Sequence, residues 1–256
     1  MLPDALFWNV HMYGIMVAVG VLCAFLVLFL YGKKMGLPEK FLDFLFYDGI
    51  ASTVVGMGSA ALFQGVYNYI ENPENGFRLD GGITFIGGLI GGAAFFIVVY
   101  LIFRKRLTGR LIESLSIIPC SITVAHGFGR IGCFFAGCCY GKETDSFLGV
   151  KFPDLPNPVH PTQLYEAAFL FLLFGVLSYL LLKKKFQNNM SLYLIAYGVF
   201  RFCIEFLRDD DRGALIGGVS PSQFWSIGMV ALGIILWVVL PKQLKKLKEQ
   251  KEAANL

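Results

Sequence analysis

Long apolar runs constrain this chain more than any other feature. The stretch from Val10 to Tyr31 contains no Asp, Glu, Lys or Arg, and apolar stretches with at most two such residues recur at 45–69, 83–103, 112–129, 163–182, 191–207 and 222–240. About 20 apolar residues in helical conformation cross the hydrocarbon core of a bilayer. Only 16% of the residues are charged and 56% are hydrophobic, whereas a soluble domain carries about 25% charged residues. These values exclude a water-soluble globular domain, a disordered chain and a nucleic-acid-binding protein. The reading is an all-α integral membrane protein of seven transmembrane helices, forming a single domain over 1–256. No cleavable leader is expected, because the first run lacks a basic preceding region and is long enough to span.

Charge placement orients these helices. Fifteen of the 22 Lys and Arg residues fall in segments 32–40, 104–110, 183–190 and 241–256, six fall in 1–9, 70–82, 130–162 and 208–221, and Arg201 lies within a helix. Short basic segments stay on the cytoplasmic side. The N-terminus is therefore predicted outside, the C-terminus inside, and 241–256 as a basic cytoplasmic tail. In the long outward segment, Gly129 to Gly141 is apolar and Gly-rich. It is predicted to be an irregular, partly inserted segment after the fourth helix, facing a wet cavity. Gly82, Gly87, Gly88, Gly91 and Gly92 at the third span suit close helix packing.

Ionisable residues inside spans are costly and mark function; here they are His11, His126, Arg130, Glu166, Arg201 and Glu205. A guanidinium is always charged, and its planar fork matches a phosphate. Arg130 and Arg201 near the outer end of the bundle would form a pocket for a phospholipid headgroup. Arg201 and Glu205 are four residues apart on one helix face, so mutual pairing and ligand binding both remain open for them. In His160-Pro-Thr-Gln-Leu-Tyr-Glu166, Pro161 fits a first helical turn. Gln163 and Tyr165 place polar groups at the membrane boundary, and Glu166 is expected to orient an Arg or a His.

The six cysteines (Cys23, Cys120, Cys133, Cys138, Cys139 and Cys203) do not read as a disulfide framework, since three lie within apolar helices. The spacing of Cys133, Cys138 and Cys139 is not a common zinc pattern, so neither a metal nor a cofactor is expected. Packing and reactivity both remain open for these thiols; a cation such as Arg130 nearby would lower a thiol pKa.

Taken in order, these motifs resemble the bacterial prolipoprotein diacylglyceryl transferase family. His11-Met-Tyr13-Gly14 is similar to the family's His-x-Tyr-Gly, and Gly81 to Gly88 to its Gly-rich third span. Gly129-Arg130-Ile-Gly132, with Phe134 and Gly141, resembles its signature Gly-Arg-x-Gly-Asn-Phe. His160 to Glu166, and Tyr197 to Arg208 with Arg201 and Glu205, complete the likeness. The resemblance implies a seven-helix, multi-pass enzyme of the bacterial inner membrane. Such an enzyme moves diacylglyceryl from phosphatidylglycerol to the lipobox cysteine of a prolipoprotein and releases glycerol 1-phosphate. It also implies that Arg130 and Arg201 hold phosphate, that Tyr13 is functional, and that Glu205 and Arg208 are the charged residues of the sixth span.

The chain departs from the family pattern where chemistry is concentrated. Ile86 stands for the third-span His, Cys133 for the signature Asn, and Ala136 and Cys138 for the later Asn and Glu. A related acceptor is therefore open, with His126 or His160 as base, or with Cys133, Cys138 or Cys139 as nucleophile. The alternative is a non-catalytic lipid- or anion-binding protein, or a transporter, on the same scaffold.

Overall fold

The structure, a computed structural model, describes residues 11–79, 82, 84–153, 155–208 and 220–254. The described residues form eight α-helices: α1 Met12–Lys34, α2 Glu39–Glu71, α3 Phe85–Phe103, α4 Leu111–Ser114, α5 Ile118–Phe135, α6 Thr162–Lys184, α7 Asn189–Ile204 and α8 Pro221–Ala254. Short 3-10 turns follow α2 (Pro73–Asn75) and α7 (Glu205–Leu207). Among the described residues β-pairing is limited to isolated bridges. Among the described residues six helices are long and apolar enough to cross a membrane, involving α1, α2, α3, α6, α7 with its 3-10 turn, and α8. Their surfaces carry the large exposed apolar side chains that lipid contact requires, such as Leu22 at 70% exposed. The protein is an all-helical, multi-pass membrane protein.

Three sequence expectations change here. The apolar run 112–129 is divided into α4 and α5, with Pro119 in the first turn of α5. Proline has no N–H to donate to the carbonyl four residues back, and its ring crowds that carbonyl, which favours a helix that starts with Pro119 in its first turn over one that runs through it. The irregular stretch predicted for Gly129 to Gly141 is instead helical as far as Phe135, and the chain turns only at Gly137, with φ of +70°. Glycine in a helix costs only about 1 kcal/mol relative to alanine, and here its use is close packing. A Cβ at Gly132 would sit 3.1 Å from Tyr13 Cδ2, and one at Gly127 would sit 2.9 Å from the Phe171 ring. Finally, the predicted tail 241–256 continues α8 to Ala254 through Pro241. The carbonyl that Pro241 leaves without its helical donor belongs to Trp237, and Asn188 Nδ2 donates to it at 3.2 Å.

The chain forms two compact units. In the unit Gly36–Arg110, α2 and α3 pack through small residues. A Cβ at Gly92 would lie 2.9 Å from the Ser52 carbonyl oxygen, and one at Gly56 would lie 3.0 Å from the Gly88 carbonyl oxygen. Polar bonds at this seam run from Ser59 Oγ to the Gly87 carbonyl (2.9 Å) and from Thr84 Oγ1 to Gln64 Oε1 (2.6 Å). The motif residues Gly81 and Ile83 lie outside the described residues, as do Val10 and the segments 1–9 and 209–219.

The second unit contains α1 and α4 to α8, and every candidate site residue. Helix α5 sits against α1 and α6, and α7 against α6 and α8. A Cβ at Gly20 would be 2.8 Å from the Ala125 carbonyl oxygen, so α1 and α5 touch backbone to backbone there. Fully buried Asn189 fixes the start of α7 by donating to the Ser116 carbonyl (3.0 Å) and the Leu177 carbonyl (3.1 Å). At the opposite end, the chain leaving α7 is stitched to the segment after α5: Lys142 N–H donates to the Leu207 carbonyl and Gly141 N–H to the His160 carbonyl, both at 2.8 Å. This stitching brings Arg208 beside the cysteine-rich turn.

Candidate functional site

Glu166 lies in the first turns of α6 with its side chain 0% exposed. A carboxylate so placed is tolerated only with partners, and two helices, α5 and α7, supply them. Tyr197 of α7 donates its hydroxyl to Oε1 at 2.7 Å. From α5, Arg130 Nε approaches Oε2 at 2.9 Å and His126 Nε2 approaches Oε1 at 3.5 Å. The Arg130 contact is an ion pair without the alignment of a hydrogen bond. His126 and Arg130 are four apart on α5, which puts both on the face toward α6. The His126 ring meets Tyr197 edge-on at 5.2 Å, and Tyr197 stacks parallel to Tyr193 at 5.8 Å. Glu166 thus grips Arg130 from the Nε side. The outer two nitrogens of that guanidinium have no hydrogen-bond partner among the described residues, and the side chain is 17% exposed.

Arg201, Glu205 and Arg208 form the adjoining cluster at the end of α7. Arg201 Nη1 is 2.7 Å from Glu205 Oε2, and its Nη2 donates to Ser222 Oγ at 2.9 Å. Ser220 Oγ donates to Glu205 Oε1 at 2.8 Å, while Arg208 Nε stands 3.9 Å from Oε2. The two clusters share one neighbourhood, since His126 lies within electrostatic reach of Glu166, Arg130 and Arg201 together.

The sulfurs of Cys133, Cys138 and Cys139 all lie within 4.8 Å of one another. Cys133 is on the last turn of α5, three residues after Arg130. Cys138 and Cys139 follow the turn at Gly137, and Cys139 has φ of +64°. That left-handed conformation costs a non-glycine residue roughly 1–2 kcal/mol, so the surroundings must hold it. Fully buried Gln163 and Thr162, at the start of α6, do so: Gln163 Nε2 donates to the Cys138 carbonyl (2.6 Å) and Thr162 Oγ1 to the Cys139 carbonyl (2.9 Å). Buried Phe152 braces the turn against Tyr140 and Phe134, at 5.2 Å and 5.9 Å. The neighbouring Cys133 and Cys138 thiols, with the Arg208 guanidinium nearby, push the Cys139 thiol well below the ordinary thiol range. Cys138 Sγ donates to the Cys133 carbonyl at 3.6 Å, and its two thiol neighbours together with burial push its thiol up.

Of the residues singled out from sequence, His126, Arg130, Glu166, Arg201, Glu205, Arg208, Gln163 and the three cysteines all fall in this region. Tyr13 joins them through its packing on Gly132 and its electrostatic proximity to Arg130 and the three thiols. His160 and Tyr165 stand apart: His160 Nδ1 and the Tyr165 hydroxyl are 3.3 Å from each other, with no recorded contact to Arg130 or Glu166. Ile86 belongs to the other unit and is 53% exposed. Sequence reasoning assigned no role to Tyr197, Thr162, Ser220 or Ser222. Tyr197 was discoverable, lying four residues before Arg201 on the same helical face. The serines and the threonine carry no sequence signal of this kind.

A family model described as prolipoprotein diacylglyceryl transferase matches residues 4–239. A phosphatidylglycerol–prolipoprotein diacylglyceryl transferase of Clostridium tetani is 38% identical over 235 residues, covering 90% of this chain and 92% of the relative. A second, from Clostridium perfringens, is 34% identical over 257 residues, covering 96% and 95%. A third, from Methylobacillus flagellatus, is 34% identical over 254 residues, covering 91% and 92%.

Proposed function

The chain belongs to the prolipoprotein diacylglyceryl transferase family, and from that premise we propose that it transfers the diacylglyceryl group of phosphatidylglycerol to the lipobox thiol of a prolipoprotein. The observation that carries this reading is the Arg130 guanidinium. It is anchored through Nε by a fully buried carboxylate, while its outer nitrogens have no hydrogen-bond partner among the described residues. That is the state of a cation prepared for an anionic ligand.

In the transfer, the acceptor sulfur attacks the sp3 carbon of the glyceryl backbone. The C–O bond breaks, and glycerol 1-phosphate leaves with the electron pair. Charge grows on the departing phosphate, so donors aimed at it act mainly on the transition state. Arg130 and Arg201 take that role, oriented by Glu166 and Glu205. Tyr197 fixes the rotamer of Glu166, and Tyr13 lies within electrostatic reach of Arg130 and of the thiols.

The reading extends to topology. Helix α5 would be the seventh crossing, within a single 256-residue membrane domain. The N-terminus would lie outside and the basic end of α8 in the cytoplasm of a bacterial inner membrane. The concentration of Lys and Arg in alternate segments supports this orientation, and a cysteine-labelling scan from each side of the membrane checks it.

Purified protein given phosphatidylglycerol labelled in its headgroup glycerol, with a lipobox peptide, should release labelled glycerol phosphate together with lipidated peptide. Arg130→Gln should lower that release by about 100-fold or more, the usual effect of removing one charge-stabilising donor. Headgroup binding by the native chain without any release would overturn the reading in favour of a non-catalytic lipid-binding protein.

A further inference from the structure

We propose that Cys133, Cys138 and Cys139 form a three-thiolate zinc site whose fourth position receives the acceptor thiol. The proposal rests on the transferase reading for its acceptor, but the metal site stands on the chain's own residues.

Geometry carries the argument. Three sulfurs within 4.8 Å of one another approach the separation of about 3.8 Å that a tetrahedral ion with zinc–sulfur bonds of 2.3 Å demands, so sub-ångström side-chain adjustments would close the site. Sequence spacing argued against a metal because the three ligands do not come from two short knuckles; the fold supplies what the spacing lacks. One ligand ends a helix, and two follow a turn whose carbonyls are clamped by Gln163 and Thr162. A pinned backbone of this kind fixes ligand direction before any ion arrives. Cys138 is exposed, while Cys133 and Cys139 are half-buried, so the trio opens on one side. Three protein ligands with one open position is the arrangement of a catalytic rather than a structural zinc, and soft thiolates favour zinc over magnesium or calcium.

The proposal also answers a chemical need. The chain has Ile86 where the family resemblance places a histidine base, and cysteines where it places polar residues. A zinc-bound thiol is deprotonated outright, so coordination replaces the base. The acceptor cysteine would bind zinc as thiolate and release its proton to water. Its lone pair would form the sulfur–carbon bond as the carbon–oxygen bond breaks toward glycerol 1-phosphate. The thioether product is a weak zinc ligand and would leave.

The test uses the full chain purified in detergent without chelator, with metal measured by mass spectrometry. About one zinc per chain is expected from a single site of this kind. It should be lost in Cys138→Ser and Cys139→Ser and kept in Cys23→Ser and Cys203→Ser. Cobalt-loaded protein should show the tetrahedral ligand-field bands and a thiolate charge-transfer band, and these should shift when a lipobox peptide is added. Cys138→His, which keeps a ligand, should retain metal and thereby separate ligation from folding. Native protein that takes up no zinc or cobalt, or that transfers lipid undiminished after chelator treatment, overturns the proposal and leaves the transferase reading intact. Metal binding with a peptide-dependent spectrum but no headgroup release would instead sink the transferase reading and keep the site.

Discussion

Replacing Glu166 by Gln isolates the charge at the centre of the site. The amide keeps the shape and can still accept from Tyr197, whose hydroxyl is 2.7 Å from Oε1. What disappears is the negative charge facing Arg130 Nε at 2.9 Å and His126 Nε2 at 3.5 Å. Removing one partner of a buried ion pair costs about 3–5 kcal/mol when the remaining charge stays buried. Arg130 is 17% exposed and can rotate toward solvent or lipid headgroups, so the expected loss is smaller, about 2–3 kcal/mol. For a chain of this size that corresponds to a melting temperature lower by roughly 5–10 °C. Because the freed guanidinium no longer points at the leaving phosphate, headgroup release should fall by about 100-fold. Two readouts decide the matter: thermal unfolding in detergent and headgroup release, each measured for Glu166→Gln, Arg130→Gln and the double variant. If the pair acts as a unit, the double variant will be no worse than either single one, with a coupling of about 1–3 kcal/mol. Additive effects, or a Glu166→Gln protein as stable and active as the native one, would refute the argument that this carboxylate holds Arg130 in place.

Three further outcomes follow from the same geometry. Arg201→Lys keeps the charge but cannot reach both Glu205 and Ser222, now contacted at 2.7 Å and 2.9 Å; turnover should fall at least about tenfold, and steady-state kinetics with phosphatidylglycerol will show it. Gly20→Ala introduces a Cβ 2.8 Å from the Ala125 carbonyl oxygen and 3.1 Å from Phe128 Cβ; forcing α1 from α5 should cost about 1–3 kcal/mol, seen as a lower melting temperature, whereas Gly14→Ala, which meets nothing within 4 Å, should be nearly silent. In chelator-treated protein, the depressed Cys139 thiol should be alkylated by iodoacetamide at a pH where ordinary thiols and the raised Cys138 thiol stay protonated and unreactive, as peptide mapping of the labelled protein will report.

The membrane class and the approximate helices were legible because hydrocarbon thickness leaves a long, simple pattern in a sequence. The polar residues of the site were legible for the opposite reason: Arg130, Glu166 and Arg201 interrupt that pattern at a cost that only function or pairing repays. Their partners were less visible. Arg130 has no acid near it in sequence, and its carboxylate arrives from α6, 36 residues on, through helix packing that no local motif encodes. Glycine misled at Gly129 to Gly141 because one residue type serves both unwinding and close approach. Only the neighbour at Gly132, the Tyr13 ring, identifies which use applies. The proximity of the three thiols was not legible, because sequence spacing does not say where sulfurs meet in space.

The placement of Arg130 and Cys133 ties the two halves of the chemistry together. They are three residues apart on the last turns of α5, so their Cα atoms differ by about 4.5 Å along the helix axis and their side chains share a face. On the zinc reading, one helix would present a phosphate-binding cation on one turn and a thiolate ligand on the next, and a segment that stays helical through Gly129 and Gly132 keeps the two positions in register. That reading also predicts that inserting one alanine between Arg130 and Cys133 abolishes transfer, because the extra residue rotates one group about 100° from the other. Metal content should survive the same insertion if the turn from Gly137 to Cys139 re-forms around the shifted Cys133.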